Sequence, residues 1–230
     1  MSSLEVNGVN AWNKPLKFAL SIAFFLLAMI WFTGDLPGFN TTLFTWVNVV
    51  LFAFEMVYIA VQAGRGEASH FNQSTPFYAT MYALMGLAAT AATLYAAYVG
   101  YLYFTTPLPH LTPGYLWAVR LGILIFVIFS LEGAVMGSRL THSVGLSDVN
   151  QTLPFLKWNT TAGDLRVAHF VGMHALQVLP LLAWLGLSNP RWIAVVAAFY
   201  FTLATAVLVQ ALQGRPVMAA KSARQLDDSI

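Results

Sequence analysis

No cysteine occurs in the chain, so thiolate metal sites, iron–sulfur clusters and disulfides are excluded together. Any bound metal must be held by nitrogen, oxygen or a methionine thioether. Charge is scarce as well: only 9% of the 230 residues are Asp, Glu, Lys or Arg. No lysine stands in the interior of an apolar run, which removes the partner a retinal Schiff base would need. The histidine patterns of membrane desaturases are missing, and no His-Glu-x-x-His or repeated His-x-x-x-His run appears.

What the chain has instead is apolar length. It is 58% hydrophobic with a mean hydropathy of +0.68, more apolar surface than a soluble core of this size can bury. Apolar runs occur at about 16 to 33, 43 to 63, 77 to 104, 114 to 138, 166 to 187 and 191 to 213, each near the roughly 20 residues that cross hydrocarbon as helix. The predicted fold is therefore all-α: a polytopic membrane protein, a six-transmembrane-helix bundle in one domain over residues 16–213. A cytoplasmic segment, 1–15, precedes it and a cytoplasmic tail, 214–230, follows. Thirteen residues precede Lys14 and no small-x-small cleavage pattern follows the first run, so that run is read as a retained helix.

Orientation follows from the basic residues. The side holding both termini carries Lys14, Lys17, Arg65, Arg139, Lys157, Arg166, Arg215, Lys221 and Arg224, and the other side only Arg191 and Arg120. Both termini are expected in the cytoplasm, with the protein in the cell's inner (plasma) membrane. The Asn-x-Ser/Thr matches at Asn40, Asn72, Asn150 and Asn159 are chance on this reading.

Ordinary punctuation marks the helix ends. Thr75 and Pro76 suit the cap and first residue of the third span; Pro113 opens the fourth, Asp164 can cap the fifth, and Asn189 with Pro190 starts the sixth. The connection from Leu140 to Gly163 is the longest and contains Phe155 and Trp158, which suit a lid at the membrane interface. Two stripes of small residues permit close helix approach: Ala88, Ala92, Ala96 and Gly100 in the third span, and Ala194, Ala198, Thr202 and Ala206 in the sixth. They could pack within one chain or in a homo-oligomer. Tyr95, Tyr98, Tyr101 and Tyr103 read as an interfacial belt.

Polar residues inside the spans carry the functional signal, because a carboxylate there costs several kcal/mol unless protonated, paired or bound to a cation. Asn48, Glu55 and Gln62 recur every seven residues on one face of the second span. Glu132, Met136 and Arg139 share a face of the fourth, where Glu132 and Arg139 could form a simple structural ion pair. In the fifth, Arg166, His169, Met173, His174 and Gln177 occupy one arc, and Pro180 is expected to kink the helix just beyond the histidines. At 1.5 Å per residue, Glu55, Glu132 and His174 each count to roughly 10 to 12 Å from the cytoplasmic end, and His169 to roughly 4 to 5 Å. His70 and His142 belong to the surface, ringed by Arg65, Arg139 and Arg166. His110 lies at the opposite surface.

Arg65-Gly-Glu-Ala-Ser-His-Phe-Asn and Leu165-Arg-Val-Ala-His-Phe-Val-Gly-Met-His-Ala-Leu-Gln resemble segments of uncharacterised bacterial six-span integral membrane proteins. The resemblance implies a bacterial inner-membrane location and brings no activity with it.

Three chemistries suit the cluster. Histidines can ligate haem b iron, with arginines neutralising the propionates, as in a cytochrome-like electron carrier. Histidines with carboxylates can hold Fe, Zn or Mn for redox or lipid-directed chemistry, as in a membrane oxidoreductase acting on a small hydrophobic substrate or quinone. Alternatively, the Glu/His seam serves a proton-coupled transporter or small channel. The expectation is a pocket with His70, His142, His169 and His174 as metal ligands, Arg65, Arg139, Arg166 and Gln177 holding the cofactor, and Glu55 and Glu132 as catalytic carboxylates. Membrane lipids are the expected surroundings. The basic residues form a flanking rim rather than a groove, so no nucleic acid is expected.

Overall fold

Each long helix but the first begins where a side chain takes up a free backbone N–H. In the computed structural model, which describes residues 4–6, 8–145, 151–154 and 156–219, Asn40 caps α2 (Thr41–Arg65) by accepting from the Leu43 amide at 2.9 Å. Asn150, Phe155, Lys221 and Arg224 lie outside the described residues. Thr75 caps α3 (Pro76–Thr105) and Thr112 caps α4 (Pro113–Arg139), each followed by proline, whose missing N–H has no helical partner to lose. Asp164 caps α5 (Leu165–Met173) and Asn189 caps α7 (Pro190–Leu212). The first helix, α1 (Asn13–Gly34), has Pro15 in its first turn instead. The second ends on Gly66 at φ 70°, whose amide returns to Ala63 while that of Glu67 returns to Gln62, a Schellman closure.

Six segments are long and apolar enough to cross a membrane: α1, α2, α3, α4, the pair α5 with α6 (Ala175–Trp184), and α7. The chain is an all-α bundle and a multi-pass membrane protein. An even number of crossings leaves the start of α1 and the finish of α7 at one end, here called proximal. The fourth helix is central, packing against α3, α5, α6 and α7, while α2 lies outside it against α1 and α3.

The fifth span breaks at His174, six residues before the expected kink. The cause is local competition for carbonyls. The His174 ring Nδ1 lies 2.8 Å from the Phe170 oxygen, and the Tyr200 hydroxyl donates to the Val171 oxygen at 2.6 Å. Both are also acceptors for the His174 amide, at 3.3 and 3.2 Å. Side chains thus loosen the turn before Pro180 can.

Close approach to α4 is made by small residues. A methyl at Gly100 would lie 2.8 Å from Ile123, and one at Gly172 would overlap the Phe129 ring. The α3 stripe from Ala88 to Gly100 is buried as expected. The α7 stripe is not: Ala194, Ala198, Thr202 and Ala206 are exposed, and Ile193, Ala197, Ala204 and Ala211 pack inward. Both stripes run at a four-residue spacing, so the neighbouring helices and not the spacing select the inward face, and the exposed α7 stripe keeps the reading in which it packs in a homo-oligomer.

The distal end also corrects the tyrosine belt. Tyr103 is fully buried, its hydroxyl donating to the Phe32 carbonyl at 2.9 Å and to Asp35 Oδ2 at 3.0 Å, and Tyr115 reaches the same oxygen at 3.2 Å. Arg120 donates to the Tyr103 carbonyl at 2.9 Å and lies over the Phe104 and Trp117 rings.

At the proximal end two small ribbons fasten the loops. One pairs β1 (Glu5–Val6) with β2 (Val9–Asn10), and the other pairs β3 (Ser143–Val144) antiparallel to β4 (Gly163–Asp164). The 151–164 connection folds on itself through the Thr152–Asn159 bridge, and Asn159 Oδ1 accepts from the Thr161 and Ala162 amides. Gly163 lies against the Ala211 carbonyl too closely for any side chain. Trp158 rests on the Phe170 ring at 5.7 Å.

Candidate functional site

The innermost polar pair is Glu132 on α4 with His169 on α5. Glu132 is 7% exposed, and neither carboxylate oxygen has a hydrogen-bond partner among the described residues. His169 Nδ1 stands 3.3 Å from Glu132 Oε2 but only 2.7 Å from the Phe129 carbonyl, so its ring proton goes to the carbonyl while the carboxylate waits alongside. The helices come this close because Gly133 leaves room: a methyl there would sit 3.2 Å from the His169 ring. Ser130, one turn from Gly133, has a buried hydroxyl that is also without a partner.

This contact corrects the expected layering. Counted from Arg139 and Arg166, Glu132 and His169 should differ in depth by about 6 Å. They meet because α5 starts deeper than α4 ends: His169 is only four residues past the first residue of α5, yet its ring reaches the Phe129 carbonyl, ten residues before the last residue of α4. His174, five residues further on, then lies about 7 Å beyond His169 rather than level with Glu132. Arg139 makes no ion pair with Glu132.

The α2 seam is a separate polar column. Asn48, Glu55 and Gln62 are all buried on the predicted face, with Tyr58 beside them. Asn48 donates to the Phe44 carbonyl at 2.9 Å and Gln62 to that of Ala68 at 3.4 Å. Among the described residues Asn48 Oδ1 and the Tyr58 hydroxyl have no partner, and no hydrogen bond or ion pair reaches Glu55.

The rim groups are largely engaged with the fold. Asp164 accepts from the Asn159 amide at 2.9 Å, the Arg166 amide at 3.1 Å, and the Arg166 guanidinium at 2.9 and 2.6 Å. Burial pushes the Asp164 carboxyl up, but the hydrogen bonds and charge of Arg166, with the Asn159 amide and His142, outweigh it and hold it below its ordinary range. Arg166 also donates to the Lys157 carbonyl. Its guanidinium therefore braces the connection. His142 Nδ1 is 3.7 Å from Asp164; burial, Arg166 and Lys14 still bring its ring down to about 4, against the opposing pull of Asp164. His70 sits among Phe18, Tyr82 and Phe71, with centroids 5.3, 5.9 and 6.4 Å away, and burial followed by the nearby Lys14 charge lowers it to about 3.

Arg65 is exposed and donates to the Tyr78 hydroxyl at 3.3 Å. Gln177 reaches across to the Phe24 carbonyl of α1 at 3.4 Å. His174 lies on the Phe170 ring at 4.2 Å. The four histidines thus divide among the Glu132 pair, the Phe170 face and the proximal rim, and among the described residues no three His, Asp or Glu side chains converge as metal ligands.

Two participants escaped the sequence reading. Asp164 was legible only as a cap, although Arg166 two residues later is a signal of the bidentate pair. Ser130 carried no signal beyond its place in an apolar run. The chain matches no protein-family model, no curated protein and no solved structure, so the reading of this site rests on its own geometry.

Proposed function

We propose that this chain is a membrane protein that moves protons through its bundle by way of the Glu132–His169 pair, in the service of coupled solute transport. The observation that supports it is a carboxylate buried inside the bundle, with both oxygens lacking donors, next to an imidazole that could supply one. When His169 takes a second proton on Nε2, a side-chain rotation can turn its Nδ1–H from the Phe129 carbonyl to Glu132, which accepts that proton and leaves a neutral imidazole, so the two groups can pass one proton without new backbone contacts. The α2 seam offers a second column of buried groups for the solute or its water. An orientation with the proximal end in the cytoplasm of a bacterial inner membrane is part of this proposal, supported by the nine Lys and Arg residues counted to that end.

A haem or transition-metal centre suits the donor set less well. Its four proposed histidine ligands divide among the Glu132 pair, the Phe170 face and the proximal rim, and among the described residues no three His, Asp or Glu side chains converge. A chelate needs several donors aimed at one point.

Purified protein in proteoliposomes with an internal pH dye tests the proposal. An imposed pH gradient should collapse faster than in empty vesicles, and Glu132→Gln should cut that rate by about a hundredfold or more, the scale for losing a proton-transfer group. A wild-type rate equal to empty vesicles across a panel of solutes, or a Glu132→Gln rate equal to wild type, would reject it.

A further inference from the structure

Four cations, Lys14, Lys17, Lys157 and Arg166, crowd the proximal end, where Asp164 is the carboxylate that Arg166 engages. Lys14 and Lys17 stand one turn apart at the start of α1. Lys17 Nζ donates to the Leu156 carbonyl at 3.2 Å, and Arg166 donates to the very next one, that of Lys157. Adjacent carbonyls therefore bring the ammonium of α1 and the guanidinium of α5 to one short stretch, where Lys157 adds a third charge. Lys14 belongs to the same group: its charge and that of Arg166 both act on His142, and its Nζ lies 5.8 Å from the Phe18 ring, beside His70.

The carboxylate at hand is already saturated. Both oxygens of Asp164 are taken by Arg166 and the Asn159 amide, and among the described residues no ion pair reaches Lys14 or Lys157. Like charges held this close and partly out of water are stabilised by an anion from outside. The depth of the cluster says which anion is at hand. Trp12 is exposed just before α1 and Trp158 rests against Phe170, and tryptophan favours the level of lipid headgroups. His70 and His142, which face Lys14, are uncharged at neutral pH, and the Asp164 charge beside them is held by Arg166, which leaves the lysines to meet an incoming anion.

We infer that Lys14, Lys17 and Lys157 bind the phosphate of an anionic phospholipid between the start of α1 and the 151–164 connection. Arg166 positions the site by holding that connection through Asp164, and the lysines meet the phosphate. The site is distinct from the Glu132–His169 pair and stands whether or not protons move through that pair.

The test is lipid retention by native mass spectrometry, with the thermal midpoint in neutral detergent alongside, on the full chain titrated with phosphatidylglycerol, phosphatidylcholine or inorganic phosphate. Phosphatidylglycerol should be retained and should raise the midpoint, while the other two should do neither. The double variant Lys14→Gln/Lys17→Gln should bind it about tenfold more weakly, Lys157→Gln should also weaken it, and Lys14→Arg should keep it. Equal retention of the two lipids would overturn the inference, as would wild-type affinity in Lys157→Gln, a variant on the connection that decides the matter even if the α1 double variant does not fold. Stabilisation by inorganic phosphate alone would overturn the lipid assignment in favour of a soluble phosphate compound.

Discussion

Asp164 combines three tasks in one side chain: it caps α5, holds Arg166 and closes the turn at Asn159. Asp164→Asn keeps the shape and one acceptor but removes the charge that makes those bonds strong. The expected loss is about 2 kcal/mol, the scale of a hydrogen bond to an ionised group, read as a lower thermal midpoint in detergent. An unchanged midpoint would mean that Arg166 finds equal support elsewhere. Glu132 presents the contrasting case, a buried carboxylate with no such network, and so a residue kept at a cost in stability. Glu132→Gln, which should slow proton movement, should therefore leave the midpoint equal or higher; a large drop would point to a structural role. The sequence marked both glutamates and His169 as interior, because a charge in an apolar run is conspicuous. It could not pair them, since the axial offset between α4 and α5 depends on the deeper start of α5 and not on residue counts within either helix.

At the scale of elements, α5 depends on Gly172 lying against Phe129 of α4. Gly172→Ala should cost about 1–3 kcal/mol as overpacking and should disturb the nearby His169–Glu132 contact, lowering both midpoint and proton flux. The proximal loops predict a pH response as well. His70 and His142 titrate near 6.5 in an unfolded chain, but at about 3 and about 4 in the fold. Below 6.5 the unfolded chain binds more protons, so their contribution to stability is complete above 6.5 and is lost as pH falls toward 4 and then 3. Asp164 loses its own contribution lower still, below its ordinary value of 3.8. The midpoint should thus fall between pH 6.5 and 4, less steeply in His70→Leu; a flat profile would contradict the burial of both rings. Helix starts were legible because Asn, Thr and Asp before proline or apolar runs act locally. The inward face of α7 was not, because small residues stand on two of its faces and only the neighbouring helices select Ala197, Ala204 and Ala211.

For the whole molecule, six crossings were legible from apolar length alone, since each run must satisfy its backbone within itself to enter lipid. The proposal that the proximal end faces the cytoplasm rests on the basic residues, and the lack of cysteine provides a clean way to test it. Gln73 on the loop after α2 and His110 on the loop after α3 are both exposed, at opposite ends of the bundle. Each can be replaced singly by cysteine and challenged with a membrane-impermeant maleimide in sealed, right-side-out vesicles, against a background of no native thiol. His110→Cys should label directly and Gln73→Cys only after detergent. The reverse pattern would turn the protein over and put the lysine cluster on the outer surface. Labelling of both without detergent would contradict the number of crossings between them, because α3 alone separates the two positions and must traverse the bilayer once for the Glu132–His169 pair to lie inside it.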